Sequence, residues 1–274
     1  MVKKVAWISS LWVGGLIMTG GFGFEGHSSL VQVASRLGSA ARIKSGVEAS
    51  KPVSGQAAIN EALAIVVKST KVPLWAPKAS AVHAPSLRGY LSASTLSKAN
   101  QYAITLTATA NAYPVNDPQI QITTGLAQLV GIFSGYRYGS IAQAKRALFK
   151  GDYVKLPASS PHQLALTKKI EANEWKQGGG TLPEGIIEWH EDGWTIEMNQ
   201  TLDLPMAQKL ANRIAHTRLP ERQGVIAVGV AGDGAHTNVT WRSGSVVYQT
   251  FSEYLPSTAV QMAESMQPVR EYNH

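Results

Sequence analysis

Gly224–Met266, GVIAVGVAGDGAHTNVTWRSGSVVYQTFSEYLPSTAVQMAESM, reads as three strands joined by glycine turns and closed by a helix. VIAVGV is apolar on both sides, which predicts a central strand. HTNVTW and VVYQTF flank a Ser243-Gly244 turn, a register that sets Val239 and Trp241 opposite Tyr248 and Val246. The closing helix, from Ser257, places Ala259, Met262, Ala263 and Met266 on one face.

Upstream, DLPMAQKLANRIAHTR predicts a helix capped by Asp203, with Ala207, Leu210, Ala211 and Ile214 on its apolar face. Before it, EGIIEWHEDGWTIEM carries Asp192-Gly193, a two-residue hairpin signal between alternating strands. Its register sets Trp189 opposite Ile196 and Ile187 opposite Met198 on one face. The other face then carries Glu188 opposite Glu197 and His190 opposite Thr195.

Asp152 to Pro183 is polar, and Gly178–Gly180 marks a flexible joint, so the domain boundary is placed there. A short helix over Leu164–Trp175 is expected within it. In the first half, QAAINEALAIVVKST presents Ile59, Ala62, Leu63 and Val66 at helical spacing, VPLWAP reads as a short extended edge piece, and QYAITLTATA alternates as a strand. QIQIT and LVGIFS read as two more strands, and SIAQAKRALFKG as a helix begun by Ser140 and Gln143.

MVKKVAWISSLWVGGLIMTGGFGFEGHSS pairs Lys3 and Lys4 with an uncharged run from Val5 to Phe24, the layout of an export signal or a retained anchor. The lysines favour a cytoplasmic N-terminus with the bulk of the chain outside. Gly21, Gly23 and Gly26 spell a dinucleotide fingerprint, but without the strand and helix that motif needs. The organisation read from these signals is 1–27 as signal or anchor, 28–55 as a basic linker, 56–151 as a first unit, 152–181 as a polar linker, 182–268 as a second unit, and 269–274 as a tail. The fold class expected is α+β, with two small units, each an antiparallel sheet covered by helices. Both run helix, strands, helix, which suggests a duplication.

Charged residues are 16% of the 274, against an average of about 25%. The net charge of +7 is divided unevenly: residues 1–150 hold 15 Lys and Arg against 4 Asp and Glu, while 151–274 hold 10 against 14. A basic first half beside a membrane anchor suits anionic lipid or anionic wall polymer. The basic residues are spread without a basic helix or an aromatic-basic motif, so nucleic acid is not an expected partner. Cysteine is absent, which excludes disulfides, thiolate metal sites and Cys nucleophiles.

The candidate catalytic residues are Glu188, His190 and Glu197, since like charges opposite each other need solvent, a cation, an Arg or a shared proton. Such a set fits a divalent metal or a carboxylate pair for glycoside hydrolysis, and a solvated strand face is the plain alternative. Candidate ligand-binding residues are Asp233 and His236 in GDGAHT, first of all a turn, and Trp189 and Trp194, which suit either glycan stacking or a core. No G-x-S-x-G, Ser-x-x-Lys or H-E-x-x-H occurs, and no cofactor is expected.

VPLWAP, the segment around IFSGYRYGS, and AGDGAHTNVTW through MAESM together resemble uncharacterised exported proteins of Gram-positive bacteria. The resemblance implies an exported location and transfers no activity. The functional expectation is an exported, membrane-tethered cell-envelope protein with a non-catalytic binding or interaction role and a protein partner. The alternative is an extracytoplasmic metal- or carboxylate-dependent hydrolase.

Overall fold

Period-two alternation runs through most of the chain, and the consequence is one large sheet. The computed structural model describes residues 55–82, 90–123, 129–150, 152–177, 184–231, 234–253 and 256–269. The expected export segment, most of the basic linker, the Gly178–Gly180 joint and Asp233 lie outside the described residues.

The strands are β1 (Trp75–Ala76), β2 (Tyr90–Lys98), β3 (Gln101–Thr109), β4 (Leu129–Arg137), β5 (His162–Ala165), β6 (Glu171–Gln177), β7 (Glu184–Glu191), β8 (Trp194–Thr201), β9 (Gly224–Ala231), β10 (Gly234–Ser243), β11 (Val246–Ser252) and β12 (Gln267–Pro268). The helices are α1 (Gly55–Val66), α2 (Pro118–Thr123), α3 (Ile141–Ala147), α4 (Leu204–Ile214) and α5 (Pro256–Ser265). Ten strands form one sheet in the order β2-β3-β4-β11-β10-β9-β8-β7-β6-β5, and β1 pairs with β12 separately. All neighbours in the large sheet are antiparallel except β8 and β9, which run parallel and are joined through α4. A parallel pair needs such a crossover, because no tight turn can reverse the chain twice.

The expected pair of separate helix-covered sheets is therefore not what the chain builds. The meander β2-β3-β4 and the meander β9-β10-β11 fuse through β4 and β11, where Gly135 faces Tyr248 and Phe133 faces Thr250. Ladder bonds along that seam satisfy two edges that separate units would leave open. The repeat of helix, sheet, helix also fails at its closing helices. Ala259, Val260, Met262 and Ala263 of α5 join the main core on one face of the sheet. On the other face, Ala144 and Ala147 of α3, with Leu148, pack on Val225 and Val247.

The main core fills the face under α1, α4 and α5, and its largest buried side chains include Trp189, Trp241, Tyr102, Tyr248 and Phe133. The α1 and α4 faces are those the spacing predicts: Ile59, Ala62, Leu63 and Val66, then Ala207, Leu210, Ala211 and Ile214. Asp203 caps α4 by accepting a bond from the Met206 amide at 2.9 Å, and Ser140 caps α3 by accepting from Gln143 at 3.2 Å.

Three element readings change. QIQIT lies in α2 and not in a strand, because Pro118 opens the helix and the Asp117 carboxylate accepts the Gln119 amide at 2.8 Å. Leu164–Trp175 holds parts of β5 and β6 in place of a short helix. The β10–β11 loop is Gly244-Ser245, with Gly244 at φ 60°, so Trp241 faces Tyr248 and Val239 faces Thr250. Moving the loop by one residue moves the pairing by two and leaves every side chain on its expected face. The β7–β8 hairpin keeps its expected register, with Asp192 and Gly193 at φ 46° and 84° in the left-handed geometry of a two-residue turn.

VPLWAP is tied to the sheet by two tyrosines. The Tyr102 hydroxyl accepts from the Trp75 amide and donates to its carbonyl, both at 3.0 Å, and Tyr248 donates to the Pro73 carbonyl at 3.0 Å. Gly135 lies between these tyrosines in the sheet, and a Cβ there would stand 2.5 Å from the Tyr102 ring and 3.2 Å from that of Tyr248. Gly135→Ala is expected to lower stability by about 1–3 kcal/mol through overpacking. Urea unfolding should show a lower midpoint at unchanged slope.

Candidate functional site

The alternation that sends Trp189, Ile187, Ile196 and Met198 into the core sends Glu188 and Glu197 to the opposite face, directly across from each other. Period two adds Asn199 on the same side of β8 and, across β9, Asn238 and His236 of β10. A solvated face is the ordinary place for such residues, yet Glu188 is 4% exposed and Glu197 0%. The cause is the chain after α3, which folds back over the sheet.

Residues 152–160 form a strap across this face. Asp152 meets the Asn238 amide through its carboxylate, and its backbone carbonyl accepts from Asn199 at 2.9 Å. The Tyr153 hydroxyl donates to Glu188 Oε2 at 2.7 Å, and the Val154 amide donates to Glu197 Oε1 at 2.8 Å. Farther along, the Ser159 carbonyl accepts from the Trp175 indole at 2.9 Å. The strap thus crosses β10, β8, β7 and β6 before entering β5. It buries the two carboxylates and supplies polar partners in place of water.

Burial dominates the electrostatics of Glu197 and pushes its carboxyl up to about 7. Bonds from Asn199 and Val154 pull the other way, and the charge of Glu188 adds to the rise. Only Oε1 receives these bonds, and Oε2 has no hydrogen-bond partner. A carboxyl bonded on one oxygen and buried beside a second carboxylate favours carrying a proton. Burial raises the Tyr153 phenol as well, reinforced by its bond to Glu188 and by the charges of Glu188 and Glu197. Tyr153→Phe removes the donor to Glu188 and is expected to cost about 1–2 kcal/mol. Thermal or urea unfolding should register it, and a neutral result would mean Glu188 does not depend on the strap.

His190 lies at the exposed end of the pair, with Nε2 3.7 Å from Glu188 Oε1. His236 occupies space left open by Gly229, and its Nε2 stands 3.9 Å from Asp152 Oδ2. The Glu188, His190 and Glu197 set is therefore assembled, while His236 belongs to the Asp152 end of the same face. Trp189 and Trp194 lie in the core at 1% and 2% exposure, and the Trp194 indole donates to the Glu221 carbonyl at 2.9 Å. Those rings are filling the interior. Among the described residues, no group of three or more His, Asp and Glu side chains is set to hold a metal ion.

Comparison of the chain with protein-family models, curated proteins and solved structures gives no significant match in any of the three.

Asp152, Tyr153, Asn199 and Asn238 are the members of the site that the sequence reading does not single out. Period two from Glu197 and His236 does place Asn199 and Asn238 on the same face. Asp152 and Tyr153 carry no such signal: they stand in a polar stretch that reads as a linker, and only folding brings them over the hairpin.

Proposed function

We propose that the protein is an exported, membrane-tethered component of the cell envelope with a non-catalytic binding or interaction role. The observation that carries the non-catalytic part is the strap. Glu188 and Glu197, the buried carboxylates among the described residues, are engaged by Tyr153 and Val154 of the same chain. A hydrolytic pair must present its oxygens to substrate, whereas these anchor a covering segment. Export and tethering are supported by Lys3, Lys4 and the uncharged run to Phe24, together with the resemblance to exported Gram-positive proteins. No helix among the described residues is long and apolar enough to cross a membrane, so a tether would fall to that N-terminal run.

The test is fractionation of a Gram-positive host making the full chain, followed by protease treatment of intact cells. The protein should sediment with membranes and lose a C-terminal epitope to external protease. Recovery in the cytosolic fraction with the epitope intact would contradict the proposal.

One observation favours the hydrolase reading: Glu197 holds its carboxyl near pH 7 beside Glu188, a pairing that can serve an acid and a base. It predicts turnover of model glycosides that Glu197→Gln abolishes. The binding reading predicts no turnover in either protein.

A further inference from the structure

The outer surface formed by α3 and the start of the strap is unlike the rest of the described exterior. Of the five large hydrophobic side chains left exposed there, Ile141 at 58%, Phe149 at 44% and Val154 at 40% fall within this one stretch. Exposed Lys145, Arg146 and Lys155 are interleaved with them. The single acidic residue of the stretch, Asp152, turns inward to Asn238. All of these residues cover the same face of the sheet, because α3 packs on Val225 and Val247 and the strap crosses Glu188 and Glu197. Scattered exposed hydrophobics need no explanation, but three in one stretch whose exposed charged residues are all basic do.

We propose that this α3–strap surface docks on an anionic lipid bilayer, with Lys145, Arg146 and Lys155 at the headgroups and Ile141, Phe149 and Val154 reaching the acyl boundary. Two kinds of side chain select that partner. Basic residues gain energy near an anionic leaflet, and apolar residues gain it only where hydrocarbon is within reach. A soluble anionic wall polymer would satisfy the first set and leave the second in water. The strap fixes the geometry, since Tyr153 and Val154 are held to the sheet by Glu188 and Glu197 and the patch cannot swing freely. The inference deepens the envelope reading and depends on it only for the bilayer's presence in the cell.

The chain has no cysteine, so a single introduced thiol reports without background. In the full chain, Ala142→Cys on α3 carries a nitrobenzoxadiazole label, and Leu204→Cys on α4, beneath the opposite face, is the control. Mixed phosphatidylglycerol–phosphatidylcholine vesicles should shift the label at 142 to the blue, and pure phosphatidylcholine vesicles should not. The label at 204 should stay unchanged in both. Lys145→Glu with Arg146→Glu should raise the lipid concentration for half-maximal shift by about tenfold or more, and Phe149→Ala should weaken it at constant charge. No shift at 142, an equal shift in neutral vesicles, or a shift given by soluble anionic polymer alone would overturn the proposal. Failure of export in cells, with the vesicle result intact, would remove the envelope reading and leave the lipid-binding surface standing.

Discussion

Replacing Trp241 by alanine is expected to lower the unfolding free energy by about 3–5 kcal/mol, the range for emptying a large aromatic site in a packed core. Trp241 is fully buried at the centre of the sheet. Its ring lies 5.8 Å from Tyr248 and 6.3 Å from Trp75, linking the β10–β11 pair to VPLWAP. The indole nitrogen is buried without a hydrogen-bond partner, so the loss is one of packing. Trp241→Phe should therefore recover much of the stability, because it keeps aromatic volume and removes an unsatisfied donor. Urea unfolding of the three proteins measures this. Equal loss in the Phe and Ala variants would contradict the assignment of the loss to packing.

Stability is expected to fall as pH rises from about 5 to 8, by at most about 3 kcal/mol, and Glu197→Gln should flatten that fall. The folded-state value near 7 lies above the ordinary 4.5. The folded protein therefore binds the Glu197 proton more tightly than the unfolded chain does. The resulting stabilisation is complete below pH 4.5 and is lost as pH climbs through 7. Each pKa unit corresponds to about 1.4 kcal/mol, which sets the upper limit given. Glutamine keeps an Oε1 acceptor for Val154 and Asn199 while removing the titration. A fall equally steep in the variant would assign the pH dependence to other groups. Chemical denaturation at a series of pH values supplies the comparison.

Local signals carried most of the element positions. Asp203, Ser140 and the Asp192-Gly193 turn each dictate geometry within a few residues, and the structure follows them. The helical spacing of Ile59, Ala62, Leu63 and Val66 and the alternation around Trp189 are equally local. QIQIT alternates as a strand would, but Asp117-Pro118 precedes it, and a cap with proline at the first turn decides more than five alternating residues do.

Sheet assembly was not legible in the same way. Nothing in IFSGYRY or VVYQTFS states that these segments pair with each other across more than a hundred intervening residues. Each is apolar enough for a central strand, and which edge meets which is set by the whole fold. The site divides along the same line. Glu188 opposite Glu197 follows from hairpin register. Their burial does not, since it depends on Asp152–Ser160, whose polar composition resembles a linker and whose role appears only when the chain returns across the sheet.

The most direct test of the strap as a closed cover on the carboxylate pair is hydrogen–deuterium exchange of residues 152–156 in the full chain. The expected result is slow exchange at the Val154 amide in the wild-type protein, with marked acceleration in Glu197→Ala, which removes its acceptor. Exchange in the wild type at the rate of an unstructured peptide would contradict it, leaving Glu188 and Glu197 open to solvent and to substrate.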